Sequence, residues 1–275
     1  MKEIIPITEF FDDEPYLTPA KSFERKETTP ARLERIQKGK IKTAIITFIS
    51  LENQMNNKDG LVDIMKDAEW FLNILGASGN APTYIYKNVM IVFMKVGAPY
   101  AVSVIEELGY FGIQNFIAFG TAGCIDPKFD TNKMVVVNRA IRDEGSSYHY
   151  LPPSIYIDTD PIVTAVIEKV LKDKGIEFER GITWTTDAIW RETGKRIERR
   201  RSQGAISVEM ECSAFAAAAK RLGKRFGQFL FFSDGIGENN DDWKWIQSSE
   251  ERMNIKARLI HIGIEMAQEL EKAKG

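Results

Sequence analysis

The stretch Gly204-Ala205-Ile206-Ser207-Val208-Glu209-Met210-Glu211-Cys212-Ser213-Ala214 predicts a buried strand that passes directly into a helix. Residues 205–208 are apolar or small, and an alanine-rich helix is expected from about Cys212 to Leu222. Glu209 and Glu211 therefore stand at the junction. Carboxylate oxygens accept hydrogen bonds from sugar hydroxyls, but the helix dipole also favours acids in a first helical turn. This stretch alone supports a sugar site and a helix-end role about equally.

Outside this stretch, apolar runs that predict strands alternate with segments whose apolar residues follow helical spacing. Strands are predicted over residues 41–49, 89–96, 115–119, 134–137, 177–186 and 226–232. Helices are predicted over residues 61–75, from Pro99, from Asp160 and over 248–272, and residues 141–154 are expected to be irregular. Because several strands are apolar throughout, we expect an α/β fold: a single domain with a mixed, mostly parallel sheet covered by helices. Residues 1–40 are expected to form an N-terminal arm and residues 41–275 the domain.

The composition is that of an ordinary globular protein of 275 residues, with 44% hydrophobic and 28% charged residues. A net charge of −2 gives no reason to expect nucleic acid or a membrane as a partner. Cys124 and Cys212 are the only cysteines, too few for a disulfide framework, which favours a reducing, cytoplasmic location. No uncharged apolar run reaches the roughly 18 residues of a membrane span. We expect no metal site and no cofactor.

Two further polar motifs follow predicted strands, where open α/β sheets place their ligand sites. Gly120-Thr121-Ala122-Gly123 follows the strand at 115–119 and is predicted to be a turn. Its amides could converge on an anion, whereas a tight turn without a ligand explains the glycines equally well. Ser233-Asp234-Gly235 follows the strand at 226–232. A partly desolvated carboxyl group there could donate a proton to a leaving group, whereas capping of a turn is the commoner explanation.

Three other features have a structural explanation that is at least as good as a functional one. The run Lys195-Arg196-Ile197-Glu198-Arg199-Arg200-Arg201 is predicted to be a solvated helix face, with contact to a substrate phosphate or a neighbouring subunit as the alternative. His149 is predicted to be a structural residue rather than a base. Trp243 and Trp245 could form a lid or pack over the edge of the core.

Three blocks occur in order along the chain: Phe116-Ile117-Ala118-Phe119-Gly120-Thr121-Ala122-Gly123, Val208-Glu209-Met210-Glu211 and Phe232-Ser233-Asp234. Together they resemble the nucleoside phosphorylase superfamily of the uridine and hexameric purine nucleoside phosphorylase type. In that family the first block lines the phosphate site and the second binds ribose. The aspartate of the third protonates the base in purine-cleaving members. Segments 142–153 and 184–188 resemble a less studied, phosphorylase-like branch, and the similarity runs from about Ile41 to the C-terminus.

The resemblance implies cleavage of a nucleoside's N-glycosidic bond by phosphate, which gives ribose 1-phosphate and a free base. The ribose would be bound by Glu209, Met210 and Glu211, with Glu211 on the hydroxyls and Met210 under the sugar. Phosphate would be held by Gly120, Thr121 and Gly123. The base would be contacted by Ser233, Asp234, Ile189 and Trp190. Asp234 and Glu211 are therefore the expected catalytic residues, and phosphate is a co-substrate.

The chain departs from the family pattern in the phosphate half of the site. Phe48-Ile49-Ser50-Leu51-Glu52-Asn53-Gln54 replaces the family's Gly-Asp-Pro-x-Arg loop, and Ala118 stands where the family has a second arginine. Either Arg142, Lys95 or an arginine of a neighbouring subunit replaces these cations, or phosphate is not the nucleophile.

Three hypotheses about function follow. The first is phosphorolysis with purine preferred over uridine because of Asp234, and the second is a nucleosidase in which Glu52 activates water. The third is a nucleoside-binding protein without catalysis. The expected partners are nucleoside, phosphate and further copies of this chain, as a dimer or a trimer of dimers. The N-terminal arm and Tyr148-His149-Tyr150 are candidates for the subunit contact.

Overall fold

The computed structural model describes residues 6–8, 13–49, 51, 61–76, 81–236 and 243–272. Within these ranges the strands are β1 Thr43–Thr47, β2 Glu69–Asn73, β3 Pro82–Tyr86, β4 Val89–Phe93, β5 Asn115–Cys124, β6 Met134–Asp143, β7 Tyr156–Asp158, β8 Phe178–Thr186, β9 Ala205–Glu209, β10 Arg225–Ile236 and β11 Trp243–Trp245. The α-helices are α1 Pro19–Phe23, α2 Thr29–Lys38, α3 Val62–Asp67, α4 Ala98–Tyr110, α5 Pro161–Asp173, α6 Gly194–Ser202, α7 Cys212–Arg221 and α8 Ser249–Lys272. Short 3-10 helices cover Pro6–Thr8, Ser146–His149 and Ile189–Arg191.

The strands form one mixed sheet in the order β11-β10-β6-β8-β9-β5-β1-β4-β3-β2, and β7 pairs with β6. β5 pairs in parallel with both β1 and β10, and β1 pairs in parallel with β4. Because β10 also pairs with β6, the strands β5, β10, β6, β8 and β9 close into a ring. The predicted α/β domain, with a mixed sheet covered by helices, is confirmed, but among the described strands antiparallel pairings are about as common as parallel ones, so the sheet is not mostly parallel.

Successive residues of the central strands point to opposite faces, and each face is covered by a pair of helices. Ala44 and Ile46 lie in the buried cluster that contains α4 and α7, whereas Ile45 lies in the cluster that contains α5 and α8. Helix α7 is rich in alanine, which lets it approach the sheet closely, and its Phe215 stacks on Phe226 with ring centroids 5.0 Å apart. The junction between β9 and α7 is therefore held firmly against the sheet.

The predicted turn over Gly120-Thr121-Ala122-Gly123 is part of a strand. β5 continues to Cys124 because β10 runs alongside it, with Leu230 opposite Gly120 and Asp234 opposite Gly123. The backbone of these residues is consequently extended. The two glycines are needed for the close approach of neighbouring side chains, and the chain does not reverse there.

The helix predicted over residues 61–75 is shorter, and its second half is a strand. Helix α3 ends at Asp67, and β2 begins at Glu69. A register shift in the pairing of β2 with β3 leaves Phe71 and Leu72 both buried, although they are adjacent in sequence. Consecutive buried residues at such a bulge imitate the apolar spacing of a helix.

The helices before β1 pack on the rest of the domain. Phe23 of α1 meets the rings of Tyr110 and Phe111, with centroids 5.8 and 4.9 Å away. Ile36 of α2 is buried in the same cluster. The boundary of the arm at residue 40 remains a prediction. In the part of the chain that the structure describes, no helix is long and apolar enough to cross a membrane.

Candidate functional site

The candidate site lies where β1 and β9 leave a gap along β5. β1 pairs with β5 as far as Phe119, and β9 pairs with β5 at Gly123 and Cys124. Residues 120–122 pair with neither strand on that side. The backbone N–H of Gly97, which follows β4, donates to a carboxylate oxygen at the end of β9. The ends of β1, β4 and β9 thus meet beside one stretch of β5, which is the kind of crevice where α/β sheets bind ligands.

Glu209 is buried, and protein groups donate to both of its carboxylate oxygens. Oε1 accepts a hydrogen bond from Thr185 Oγ1 at 2.6 Å. Oε2 accepts from the backbone N–H groups of Glu211 and Cys212 at 2.8 and 2.7 Å. Because these two N–H groups lie at the start of α7, Glu209 caps that helix. The helix-end role considered for the glutamate pair thus applies to Glu209.

Glu211 is also buried, but it reaches across to a different helix. Its Oε1 accepts the backbone N–H of Gly97, the residue that precedes α4, at 2.5 Å. Gly97 has a φ of 132°, a conformation that favours glycine. The positive end of the α4 dipole stabilises a negative charge at this point. Glu211 therefore joins the β9–α7 junction to the end of β4, at the gap.

Burial shifts the protonation of both glutamates. It raises the pKa of Glu209, although the hydrogen bonds from Thr185 and from the backbone oppose this shift. It also raises the pKa of Glu211, and the charges of Glu209 and, more weakly, Asp187 add to that shift. The pair therefore retains a proton more readily than two isolated glutamates. One protonated and one ionised carboxyl group suit neighbouring sugar hydroxyls, each of which donates and accepts.

A chain of buried hydrogen bonds connects Glu209, through Thr185 and Ser213, to Glu144. Thr185 Oγ1 donates to Glu209 and accepts the backbone N–H of Ser213 at 3.0 Å. Ser213 Oγ donates to Glu144 Oε1 at 2.8 Å, and Glu144 Oε2 accepts the N–H of Ser147 at 2.9 Å. Sequence reasoning missed these supporting residues. Glu144, Ser147 and Thr185 lie in the two segments that resemble the phosphorylase-like branch, 142–153 and 184–188, which is the signal that could have found them.

Arg142 does not serve as the cation missing from the phosphate half. Its Nε donates to Ser147 Oγ, its Nη1 to the carbonyl oxygen of Pro152 and to Ser154 Oγ, and its Nη2 to the carbonyl oxygens of Ser147 and Leu151. An arginine has five N–H donors, so all are used within its own segment. Burial lowers the pKa of Arg142. The residue organises the segment that carries Glu144.

Asp234 lies on the other side of β5 from the glutamates. Its Oδ1 accepts from Ser233 Oγ at 2.6 Å, and its Oδ2 accepts from the indole Nε1 of Trp243 at 2.9 Å. A Cβ atom at Gly123 would stand 3.0 Å from Val208 Cγ1 and 3.4 Å from Asp234 Oδ2. Glycine at position 123 therefore makes room for Val208, and the Asp234 carboxylate lies at ordinary contact distance. The structure thus places Gly123, which was predicted to bind phosphate, next to Asp234, which was predicted to contact the base.

A second carboxyl group, that of Glu192, lies close enough to Asp234 to sense its charge. Burial raises the pKa of Glu192 to about 7, the charge of Asp234 adds to the shift, and Arg196 opposes it. Glu192 directly follows the turn Ile189–Arg191. Within that turn, Ile189 and Trp190 are 52% and 91% exposed, so both of these predicted base contacts lie at the surface. Sequence reasoning did not single out Glu192.

The glycine stretch of β5 is partly filled by protein. A Cβ atom at Gly120 would stand 2.7 Å from the ring of Phe48, so this ring occupies the space beside the glycine. Thr121 is half-buried, and Lys95 is exposed on the segment that follows β4. Glu52, the candidate base for hydrolysis, lies outside the described residues.

The basic helix α6 is not simply a solvated face, and that prediction needs correction. Nη2 of Arg196 and Nη2 of Arg200 both donate to Asp143 Oδ2, at 2.6 and 2.8 Å, and both guanidinium groups lie over the ring of Trp184. Burial alone would raise the pKa of Asp143, but the hydrogen bonds from Arg200 and Arg196 outweigh it and lower the pKa. These two arginines join α6 to the sheet.

The assembled groups have the chemistry of a site for a sugar and a base. Two buried carboxyl groups at the gap suit hydroxyl groups, and a third at the end of β10 suits a ring nitrogen. Within the described ranges, no group of three or more histidine, cysteine, aspartate or glutamate side chains is arranged to hold a metal ion.

Comparison with known proteins gives concordant results. The model of the phosphorylase superfamily matches residues 58–262. A uridine phosphorylase of Haemophilus influenzae is 24% identical over 212 residues, which cover 72% of this chain and 74% of the relative. A guanosine phosphorylase of Halorubrum lacusprofundi is 26% identical over 171 residues, covering 62% and 70%. The crystal structure of an AMP nucleosidase from Bacteroides thetaiotaomicron aligns with a TM-score of 0.63 over 88% of this chain and 99% of that one, at 17% identity, which shows a shared fold.

Proposed function

Because the chain belongs to the nucleoside phosphorylase superfamily, we propose that it cleaves the N-glycosidic bond of nucleosides with phosphate and prefers purine nucleosides to uridine. The proposal rests on the position of Gly123, which pairs with Val208 on β9 and with Asp234 on β10. Glu209 directly follows Val208, so the glutamate pair and Asp234 flank the same residue of β5. With neighbouring strands about 4.8 Å apart, the outer two backbones are about 10 Å apart, within the reach of one nucleoside.

The glutamate pair binds the ribose in this proposal. As the bond to the base breaks, positive charge develops on the sugar, and groups that fit this transition state lower the barrier. Glu211 holds the 2′- and 3′-hydroxyl groups, because it reaches from the β9–α7 junction to Gly97 at the end of β4, beside the gap. Glu209 holds the start of α7 and thereby fixes Glu211. Met210, half-buried between them, lies under the sugar.

Asp234 acts on the leaving base. When the carboxyl group of Asp234 carries a proton, it donates that proton to a ring nitrogen of a purine as the glycosidic bond breaks, so the base leaves in neutral form. Ser233 Oγ, which donates to Oδ1 at 2.6 Å, fixes one side of that carboxyl group. The acid is the reason for expecting a preference for purines.

Phosphate attacks the sugar from the glycine stretch of β5. Residues 120–122 pair with neither β1 nor β9 on the side of the gap, so backbone N–H groups and the Thr121 hydroxyl can face an anion there. The names of the relatives, uridine phosphorylase and guanosine phosphorylase, support phosphate as the attacking group.

Hydrolysis is the second candidate, and two observations favour it. The ring of Phe48 fills the space beside Gly120, and Arg142 uses all five N–H donors within its own segment. Both features reduce the capacity of this side to hold a dianion. In this alternative, water attacks the same ribose and Glu52 is the candidate base.

Assays of inosine, guanosine, adenosine and uridine with and without phosphate separate the two candidates. We expect turnover to require phosphate, to yield ribose 1-phosphate and to be faster for the purine nucleosides. Turnover that is unchanged without phosphate and gives free ribose would replace phosphorolysis with hydrolysis. Binding of nucleosides without turnover in either condition would identify a non-catalytic binding protein.

A further inference from the structure

Trp243 makes a contact with Asp234 that the proposed reaction leaves unexplained. Its indole Nε1 donates to Oδ2 at 2.9 Å, while Ser233 Oγ donates to Oδ1 at 2.6 Å. The Trp243 side chain is 53% exposed, so it adds little to the hydrophobic core. A tryptophan half exposed to water, with its polar edge on a site carboxylate, points to a role in that site.

The indole of Trp243 is held in place by β11. This strand pairs antiparallel with the end of β10, with Trp245 opposite Asp234, and the next N–H, that of Ile246, donates to the carbonyl oxygen of Ser233 at 2.9 Å. Trp243 and Trp245 are two residues apart and share a face of the strand, with ring centroids 4.9 Å apart. The donor therefore has a defined direction.

We propose that Trp243 is a positioning residue that orients the carboxyl group of Asp234 toward the base. The proposal rests on the proposed role of Asp234 as the acid. The terminal torsion of an aspartate is broad, so the carboxyl plane needs partners on both oxygens to be fixed. Ser233 supplies one partner and Trp243 the other. Loss of the indole N–H frees the carboxyl group to rotate, which slows protonation of the base and leaves the glutamate pair unchanged.

The test compares Trp243→Phe with Trp245→Phe. The first variant removes the N–H and keeps an aromatic ring. The second is a matched control, since Trp245 is 58% exposed on the same strand and its ring packs on Trp243 and under Arg252. Each variant is assayed on inosine, whose base must be protonated, and on p-nitrophenyl β-D-riboside, whose nitrophenolate leaves without a proton. Melting temperatures confirm that both variants fold.

We expect Trp243→Phe to lower kcat on inosine by about 10- to 100-fold with little change in KM, as for other groups that orient a reacting side chain. Its rate on the nitrophenyl riboside, and both rates of Trp245→Phe, should stay within about twofold of wild type. Equal losses on the two substrates, or no loss on inosine, would overturn the positioning role.

The rates on the two substrates distinguish failure of the proposed function from failure of the positioning role of Trp243. A wild-type protein that cleaves the nitrophenyl riboside but not inosine would remove the acid role of Asp234, and the role of Trp243 with it. A wild-type protein that cleaves neither compound, with or without phosphate, would contradict nucleoside cleavage itself and so overturn both. The inference is supported if the rate falls only with inosine as substrate and only in Trp243→Phe.

Discussion

Two parts of the candidate site differ in how completely the fold forms them. The sugar side consists of Glu209 and Glu211, and the anion side consists of the glycine stretch of β5, with Gly120 and Thr121. On the sugar side, Glu209 receives three hydrogen bonds from protein donors, and Glu211 is held at the start of α4. On the anion side, Phe48 fills the space beside Gly120, and Arg142 is engaged by its own segment. The described fold thus provides more hydrogen bonds and burial for the proposed ribose site than for the proposed site of the attacking group.

The sugar side is maintained at a cost in stability. Burial raises the pKa of both Glu209 and Glu211, which means that the folded protein disfavours their ionised forms. Apolar residues at these positions would avoid that penalty, as the alanines and Phe215 of the adjoining helix α7 do. Glu209 has a role in folding, because it caps α7, whereas the buried acid at Glu211 is more simply explained by binding than by folding.

The largest effect is expected for Glu211→Gln. The variant keeps the shape of the side chain, but its amide has one acceptor oxygen where the carboxyl group offers two to the hydroxyl groups of the proposed ribose. We expect kcat/KM to fall by about 1,000-fold, equivalent to about 4 kcal/mol, for phosphorolysis and hydrolysis alike. Steady-state assays on inosine measure this loss.

Glu107→Gln is the matched control for this experiment. Glu107 is also buried, and its two oxygens accept backbone N–H groups of Leu75 and Gly76, away from the gap. Its replacement should lower the melting temperature and leave kcat/KM nearly unchanged. If Glu211→Gln kept more than about a tenth of the activity, the sugar side would not be the catalytic centre that its construction indicates.

A smaller effect is expected for Thr185→Val, which tests whether the support behind Glu209 matters. Loss of the hydroxyl removes the donor to Oε1, and because that hydrogen bond lowers the pKa of Glu209, its loss raises this pKa further. We expect about a tenfold loss in kcat/KM, and an acid limb of the pH profile that moves to higher pH.

Thr183→Val supplies the comparison for Thr185→Val. Both threonines are fully buried on β8, two residues apart, but Thr183 Oγ1 faces the carbonyl oxygen of Ser207 at 3.5 Å. Each variant should lose about 1 kcal/mol of unfolding free energy, and activity should fall in Thr185→Val alone. Equal losses of activity would mean that the chain of hydrogen bonds maintains the fold without tuning Glu209.

The anion side is tested by Thr121→Val. If the Thr121 hydroxyl helps to hold phosphate, KM for phosphate should rise by about 5- to 10-fold while KM for inosine stays the same, because a single hydrogen bond to a charged group is lost. Initial rates over a grid of phosphate and inosine concentrations separate the two constants. If neither KM changes, the attacking group binds elsewhere, and the anion side is even less complete than the sugar side.

The sequence predicted the strand and the helix that carry the site better than it predicted the hydrogen bonds between distant residues. The apolar run before Glu209 and the alanines after Glu211 predicted the strand and helix correctly, because both patterns are local. The different tasks of the two glutamates depend on Thr185, 24 positions away, and on Gly97, 114 positions away. Periodicity carries no information about such contacts.

The glycine stretch shows the same limit from the opposite direction. Glycines after an apolar run predicted a turn at Gly120-Thr121-Ala122-Gly123, whereas β5 continues through it. Gly120 makes room for Phe48, and Gly123 makes room for Val208. Local sequence cannot distinguish a glycine that turns the chain from a glycine that makes room for a distant side chain.

The smallest effect is expected at Glu192, on the base side of the site. Its folded-state pKa of about 7 lies above the ordinary value of 4.5, so the folded protein binds more protons than the unfolded chain between these values. The stabilisation is complete below about pH 4.5 and is lost as the pH rises through about 7. The glutamine of Glu192→Gln does not titrate. The variant should therefore become more stable than wild type as the pH rises from 5 to 8. We expect a gain of less than about 1 kcal/mol, because water partly screens the site.

Thermal melts across this pH range measure the gain, with Glu250→Gln on the exposed start of α8 as the control that should show none. Because the charge of Asp234 is the second cause of the shift, the gain should shrink in an Asp234→Asn background. A gain that is the same at every pH, or unaffected by Asp234→Asn, would separate Glu192 from the base side. A gain that depends on both would show that the base side, like the sugar side, carries a pair of acids at the expense of stability, in a more exposed setting.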